Sequence, residues 1–188
     1  MTAGELSLLR PSAASTTLRV HLSAFTPSPP FWDIPSPSRW RSVTSGHAHA
    51  SSLLSLGLLT AAGRAYSRSL RVAAVAAGCP PFPPDIAAVK AELHAGLALV
   101  QLRLGLPAAA AGNAARALAL CPAHLEARYR RGVARAAMSD LEAAREDLVA
   151  VLRVQPGHAG ARRELRRVRG AARERDARLA RRLGRLFA

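Results

Sequence analysis

The sequence predicts an all-α protein. It should be a short array of stacked helical hairpins, two and a half repeats long, closed by a long C-terminal helix and preceded by a disordered segment. Three observations predict this. Aromatic residues make up only 4% of the 188 residues, while alanine is abundant. A core must therefore come from helices that approach closely through small side chains, not from a sheet of β-branched and aromatic residues. From Leu53 onward, leucine, alanine and arginine recur at helical spacing. Finally, the chain repeats itself: a shift of 34 positions lays Ala98 on Gly132, Ala110 on Ala144, Leu118 on Leu152, Leu120 on Val154, Pro122 on Pro156 and His124 on His158.

That period is the length of a tetratricopeptide (TPR) repeat, a pair of antiparallel helices. The matched positions divide the work of a hairpin. Ala98 and Gly132 let one helix approach its partner, Ala110 and Ala144 do so from the other side, and each proline closes the unit.

The elements follow in order. Residues 1–52 are rich in Ser, Thr and Pro, and Pro27, Pro29, Pro30, Pro35 and Pro37 bar a helix across that stretch, so the segment is expected to be disordered. Phe31, Trp32 and Trp40 could form only a short binding motif there. Residues 53–78 read as a partial first repeat. Ala62, Tyr66, Ser69 and Leu70 suit its second helix, whereas the Ser-Gly-His-Ala-His run in 43–56 gives little helical preference for a first one. Residues 79–85 are a proline-rich loop. Repeats at 86–123 and 124–157 carry helices near 86–104, 107–120, 124–138 and 140–154. Ser139-Asp140-Leu141-Glu142 fits a capping box, and Pro122 and Pro156 end the helices before them. In 158–188, Leu165, Val168, Ala172, Leu179, Leu183 and Leu186 form one apolar stripe among eleven arginines and three acidic residues. This helix is expected to cap the array. As the alternative, it is a basic amphipathic surface for an anionic partner: nucleic acid, calmodulin or a membrane surface.

The net charge of +15 does not by itself point to nucleic acid, because all but Lys90 of the 27 basic residues are arginine in an Ala-, Gly- and Pro-rich chain. That is the imprint of a GC-rich coding sequence, and no zinc, helix-turn-helix or stacking pattern accompanies it. Cys79 and Cys121 have no metal-ligand spacing and read as reduced, so a cytoplasmic protein is expected, with the nucleus as the alternative. Arg64, Arg68 and Arg71 interrupt the longest apolar run, so no membrane span is expected. His94 and His124 read as packed or capping histidines. No acid, base or nucleophile constellation stands out, so neither an enzyme nor a cofactor or metal is expected.

Leu125-Glu126-Ala127-Arg128-Tyr129-Arg130-Arg131-Gly132 resembles the opening of the third repeat in the TPR immunophilins. The ending from Asp176 through Leu183, Arg185, Leu186 and Phe187 resembles the divergent FK506-binding-protein-like branch of that co-chaperone family. The resemblance covers roughly 57–188. It implies a protein-binding co-chaperone whose groove takes the acidic C-terminus of a heat-shock chaperone. The family's carboxylate clamp would fall on His47, Ser51, Gly96, Glu126 and Arg130, where the family carries Lys, Asn, Asn, Lys and Arg; only Arg130 matches. The groove residues it implies are Gly96, Glu126, Arg130 and Arg131. No strand-rich segment of the size of the family's isomerase domain precedes the repeats, so isomerase activity is not expected. The chain reads as a fragment or a mispredicted version of a longer protein.

Overall fold

The computed structural model describes residues 4–9, 17–25, 33–78 and 80–184. It divides into two units, 1–35 and 36–188. In the first, β1 (Leu6–Leu9) pairs antiparallel with β2 (Leu18–His21), Leu6 facing His21 and Leu9 facing Leu18. In the second, α1 (Ser36–Ser55), α2 (Leu59–Ala76), α3 (Pro84–Arg103), α4 (Pro107–Leu120), α5 (Leu125–Ala137), α6 (Leu141–Val154) and α7 (Ala159–Gly184) follow one another.

The expected disorder of 1–52 is therefore corrected twice, by the β1/β2 pair and by α1. The partial first repeat becomes a whole hairpin, giving three hairpins before α7. Intrinsic preference failed to signal α1 because tertiary packing forms it. Trp40, Val43, Ala50 and Leu54 recur down one face and pack with Ala62, Tyr66 and Ala73 of α2 and with Leu93 and Val100 of α3. Phe31, Trp32 and Cys79 lie outside the described residues.

Helices α3 to α6 obey the 34-residue phase. Ala98, Ala110, Ala114 and Ala134 are fully buried together where α3, α4 and α5 meet. Gly132 faces α6 so closely that an added Cβ would stand 3.1 Å from Leu148 Cγ and 3.2 Å from Asp147 Cβ. Small residues thus set the helix spacing.

The turns within the hairpins are built alike. The Gly57, Gly105 and Ser139 amides donate to Leu54, Leu102 and Ala136, and the next amides, of Leu58, Leu106 and Asp140, reach back to Leu53, Gln101 and Arg135. This closure needs a left-handed residue at its centre, and φ is 75°, 71° and 64° at the three positions. Ser139 is thereby spent on ending α5. The expected capping box does not form: α6 starts at Leu141, and its N-cap, Asp140, makes no side-chain cap bond. Since a non-glycine residue pays a steric penalty in this region, Ser139→Gly is expected to stabilise the array by about 0.5–1 kcal/mol. Thermal unfolding should show a midpoint a few degrees higher; an unchanged or lower one would mean that the turn carries no strain.

Between hairpins the device is different. His124 Nδ1 accepts the Ala127 amide at 3.3 Å and His158 Nδ1 accepts the Ala161 amide at 3.0 Å, capping α5 and α7. Arg128 donates to the Pro122 carbonyl at 2.8 Å and Arg162 to that of Pro156 at 2.7 Å. The in-phase prolines and histidines of the sequence are one repeated turn.

Candidate peptide groove

The first helices of successive hairpins touch: α1 meets α3, α3 meets α5, and α5 meets α7. They carry the positions that the family resemblance implies for a groove: His47 and Ser51 on α1, Gly96 on α3 and Glu126 and Arg130 on α5.

The first three of these residues converge on one ring. Tyr66 of α2 is 2% exposed; its hydroxyl lies 3.1 Å from Ser51 Oγ and its ring centroid 6.1 Å from that of His47. Gly96 provides the seat, since an added Cβ would stand 2.5 Å from Tyr66 Cε1 and Cζ. These positions therefore hold Tyr66 between α1 and α3. Sequence reading placed Tyr66 on the second helix but missed this role. The signal was a glycine inside a strong helix, at a cost of about 1 kcal/mol relative to alanine.

On α5, Arg130 Nη2 donates to Glu126 Oε2 at 3.2 Å, the pairing that their spacing of four implies. Glu126 Oε1 also lies 3.5 Å from His158 Nε2. One repeat earlier, Glu92 stands 3.3 Å from His124 Nε2. Helices α3 and α5 thus each present a carboxylate to the histidine that caps the next first helix. The Arg130 side chain is 16% exposed, and its Nε–H is buried with no acceptor. Tyr129 packs its ring 4.7 Å from that of His158, and burial raises its phenol above the ordinary tyrosine range.

Arg131, expected in the groove, is engaged elsewhere. Its Nε and Nη2 donate to Asp147 Oδ2 and Oδ1 of α6 at 2.8 and 2.6 Å, and Arg135 Nη1 adds a bond to Oδ2 at 2.8 Å. The hydrogen bonds it donates to Asp147 hold the Arg131 guanidinium above its usual range. One repeat earlier, Asn113 takes the place of Asp147, binding Gln101 and His94, each at 2.9 Å. Burial, ahead of the opposing Asn113 bond, holds His94 below the ordinary histidine range. Both histidines flagged by the sequence thus have packing or capping roles. Among the described residues no three His, Cys, Asp or Glu side chains gather as metal ligands, Cys121 is a free thiol, and no helix is long and apolar enough to cross a membrane.

No family model matches the chain. It is 36% identical over 183 residues to FK506-binding protein-like from Mus musculus and from Homo sapiens, a match spanning 97% of this chain and 51% of each relative. The chain thus spans about half the length of the curated relatives it matches. Among solved structures, the C-terminal TPR-containing domain of a Plasmodium falciparum FK506-binding protein superposes with a TM-score of 0.73 at 15% identity, covering 79% of this chain and 99% of that one. The first TPR domain of Spaghetti (RPAP3), bound to the HSP90 peptide SRMEEVD, gives a TM-score of 0.57 at 24% identity, covering 70% and 94%. At these identities the likeness carries the fold: an all-α TPR array.

Proposed function

We propose that the chain belongs to the FK506-binding protein-like family across the part of its relatives' length that it spans, and that its TPR array is a protein-docking adaptor of the chaperone-associated kind, without isomerase activity. The face carried by the first helices is the docking surface, and Glu126 and Arg130 are its contact positions, Gly96 being covered by Tyr66. The observation that carries this reading is the state of Arg130. It is the cation standing at a clamp position, its Nη2 is held by Glu126, and its Nε–H lacks an acceptor. The guanidinium stays partly exposed at the end that Glu126 holds, so an incoming carboxylate competes with Glu126 for it. Glu126 repels that carboxylate and already satisfies that end of the guanidinium. The array is therefore a TPR module whose acidic-peptide affinity is held down by its own glutamate.

Titration calorimetry of the full chain with the peptide SRMEEVD tests this. Wild type is expected to bind no better than about millimolar. Glu126→Lys, which restores the family residue and releases Arg130, should tighten binding by roughly 1 kcal/mol, about fivefold. Arg130→Ala in that background should remove the gain. Micromolar binding by wild type would sink the idea of a self-blocked clamp. A silent Glu126→Lys at low salt would mean that the groove is no carboxylate site and that the array recognises some other surface.

A further inference from the structure

Helix α7 runs on where the earlier first helices stop. Gly105 and Ser139 end α3 and α5 in left-handed backbone, and the residue in phase with them is Arg173, well inside α7. A left-handed turn at an arginine would cost about 1–2 kcal/mol. Without a turn former the helix continues, and beyond Ala172 every described residue is exposed. The apolar line of Leu165, Val168 and Ala172, which packs against α6, is prolonged by Leu179 and Leu183, 56% and 48% exposed.

Between this extension and the α5–α6 turn lies a cleft of about 450 Å³. Its floor is apolar, formed by Ala136, Leu141, Val168 and Leu179, and arginines dominate its rim. Arg175 is occupied by Asp176 and Glu142. Arg178 and Arg182 have no ion-pair partner among the described residues.

We infer that this cleft is a second docking surface, apart from the inner face of the array, and that it takes an acidic amphipathic helix of a partner protein. Leucine-like side chains every third or fourth residue would lie along Leu179 and Val168, and flanking carboxylates would meet Arg178 and Arg182. The charge pattern selects against a second copy of this chain, which would bring another arginine-rich helix and a net +15 against the same rim.

The test uses fluorescence anisotropy of the full chain with a labelled synthetic helix carrying leucines at i, i+3, i+4 and i+7 and glutamates beside them. A control peptide has the same composition with the leucines scattered around the helix. Leu179→Ser and the pair Arg178→Glu with Arg182→Glu should each weaken binding about tenfold at physiological salt, and the scattered peptide should be weaker by a similar factor. All three residues are exposed, so unchanged circular dichroism is expected to accompany the loss. Excess SRMEEVD added to the Glu126→Lys variant should leave the labelled helix bound, which separates the cleft from the inner face. Equal binding of both peptides, indifferent to Leu179→Ser, would reduce the site to polycation attraction and overturn the proposal. Displacement of the peptide by phosphatidylserine vesicles that bind more tightly would overturn it in favour of a membrane surface. A dimer in sedimentation that Leu179→Ser dissolves would overturn it in favour of self-association.

Discussion

Asp147→Ala is expected to destabilise the array by about 3 kcal/mol and to lower its thermal midpoint by roughly 10 °C. Asp147 is 5% exposed and accepts three bonds from Arg131 and Arg135, which lie one turn apart on α5. Two of these form the parallel fork of a guanidinium on a carboxylate, a stronger and more directional contact than a single bond. Alanine keeps the Cβ that packs against Gly132, so the substitution removes the carboxylate without opening the helix pair. What remains is two partly buried cations, 24% and 28% exposed, without their carboxylate and with only a 3.5 Å bond from Arg135 to the Ala143 carbonyl. That partial exposure sets the cost at the lower end of the range for breaking a buried pair. Glu142→Ala is the control, since its pairs with Arg145 and Arg175 are exposed and should be worth well under 1 kcal/mol. In urea titrations Asp147→Ala should shift the midpoint far more than Glu142→Ala, and Asp147→Asn, which retains one acceptor oxygen, should fall between them. Equal shifts for the two alanine variants would show that Asp147 contributes no more than a surface charge.

The features legible in the sequence were those that repeat. Pro122 and Pro156, His124 and His158, and the small residues at 98, 110, 132 and 144 recur at one interval because each hairpin solves the same packing problem. The first hairpin was harder to read. The contact face of α1 recurs through Trp40, Val43, Ala50 and Leu54, but serines, Gly46 and two histidines fill the positions between, so its helix preference is weak and packing decides. The first hairpin also escapes the 34-residue phase: Gly57 and Gly105 are 48 apart, because a longer α2 and the proline segment intervene. Arg131 shows a different limit. A sequence shows that two arginines are adjacent, not that one faces Asp147 sixteen residues later while the other pairs with Glu126 on its own helix. Ser139 fits a capping box by spacing, yet the backbone needs a left-handed residue there before α6 can begin.

Gly96→Asn supplies the asparagine that the family resemblance implies at this position, and it is expected to cost about 2 kcal/mol of stability instead of building a peptide site. The reason is Tyr66. Any Cβ at position 96 meets Cε1 and Cζ of that ring at 2.5 Å and its hydroxyl at 2.8 Å, distances that side chains do not sustain. The ring cannot swing aside cheaply, because it is 2% exposed, its hydroxyl is bonded to Ser51 and it packs among Val43, Ala62 and Leu97. Gly96→Ala isolates the steric part. On helical preference alone alanine should stabilise α3 by about 1 kcal/mol, so a net loss would measure the clash. In a Tyr66→Leu background the contact is gone, and Gly96→Ala should become neutral or stabilising; the coupling in this double-mutant cycle should reach about 2 kcal/mol. A Gly96→Ala variant as stable as wild type, with no coupling to Tyr66→Leu, would show that the ring moves freely and that the inner face is open at α3. If the coupling appears, the groove is closed there by its own tyrosine. Tyr66→Leu combined with Gly96→Asn and Glu126→Lys should then bind SRMEEVD more tightly than Glu126→Lys alone, as read by calorimetry.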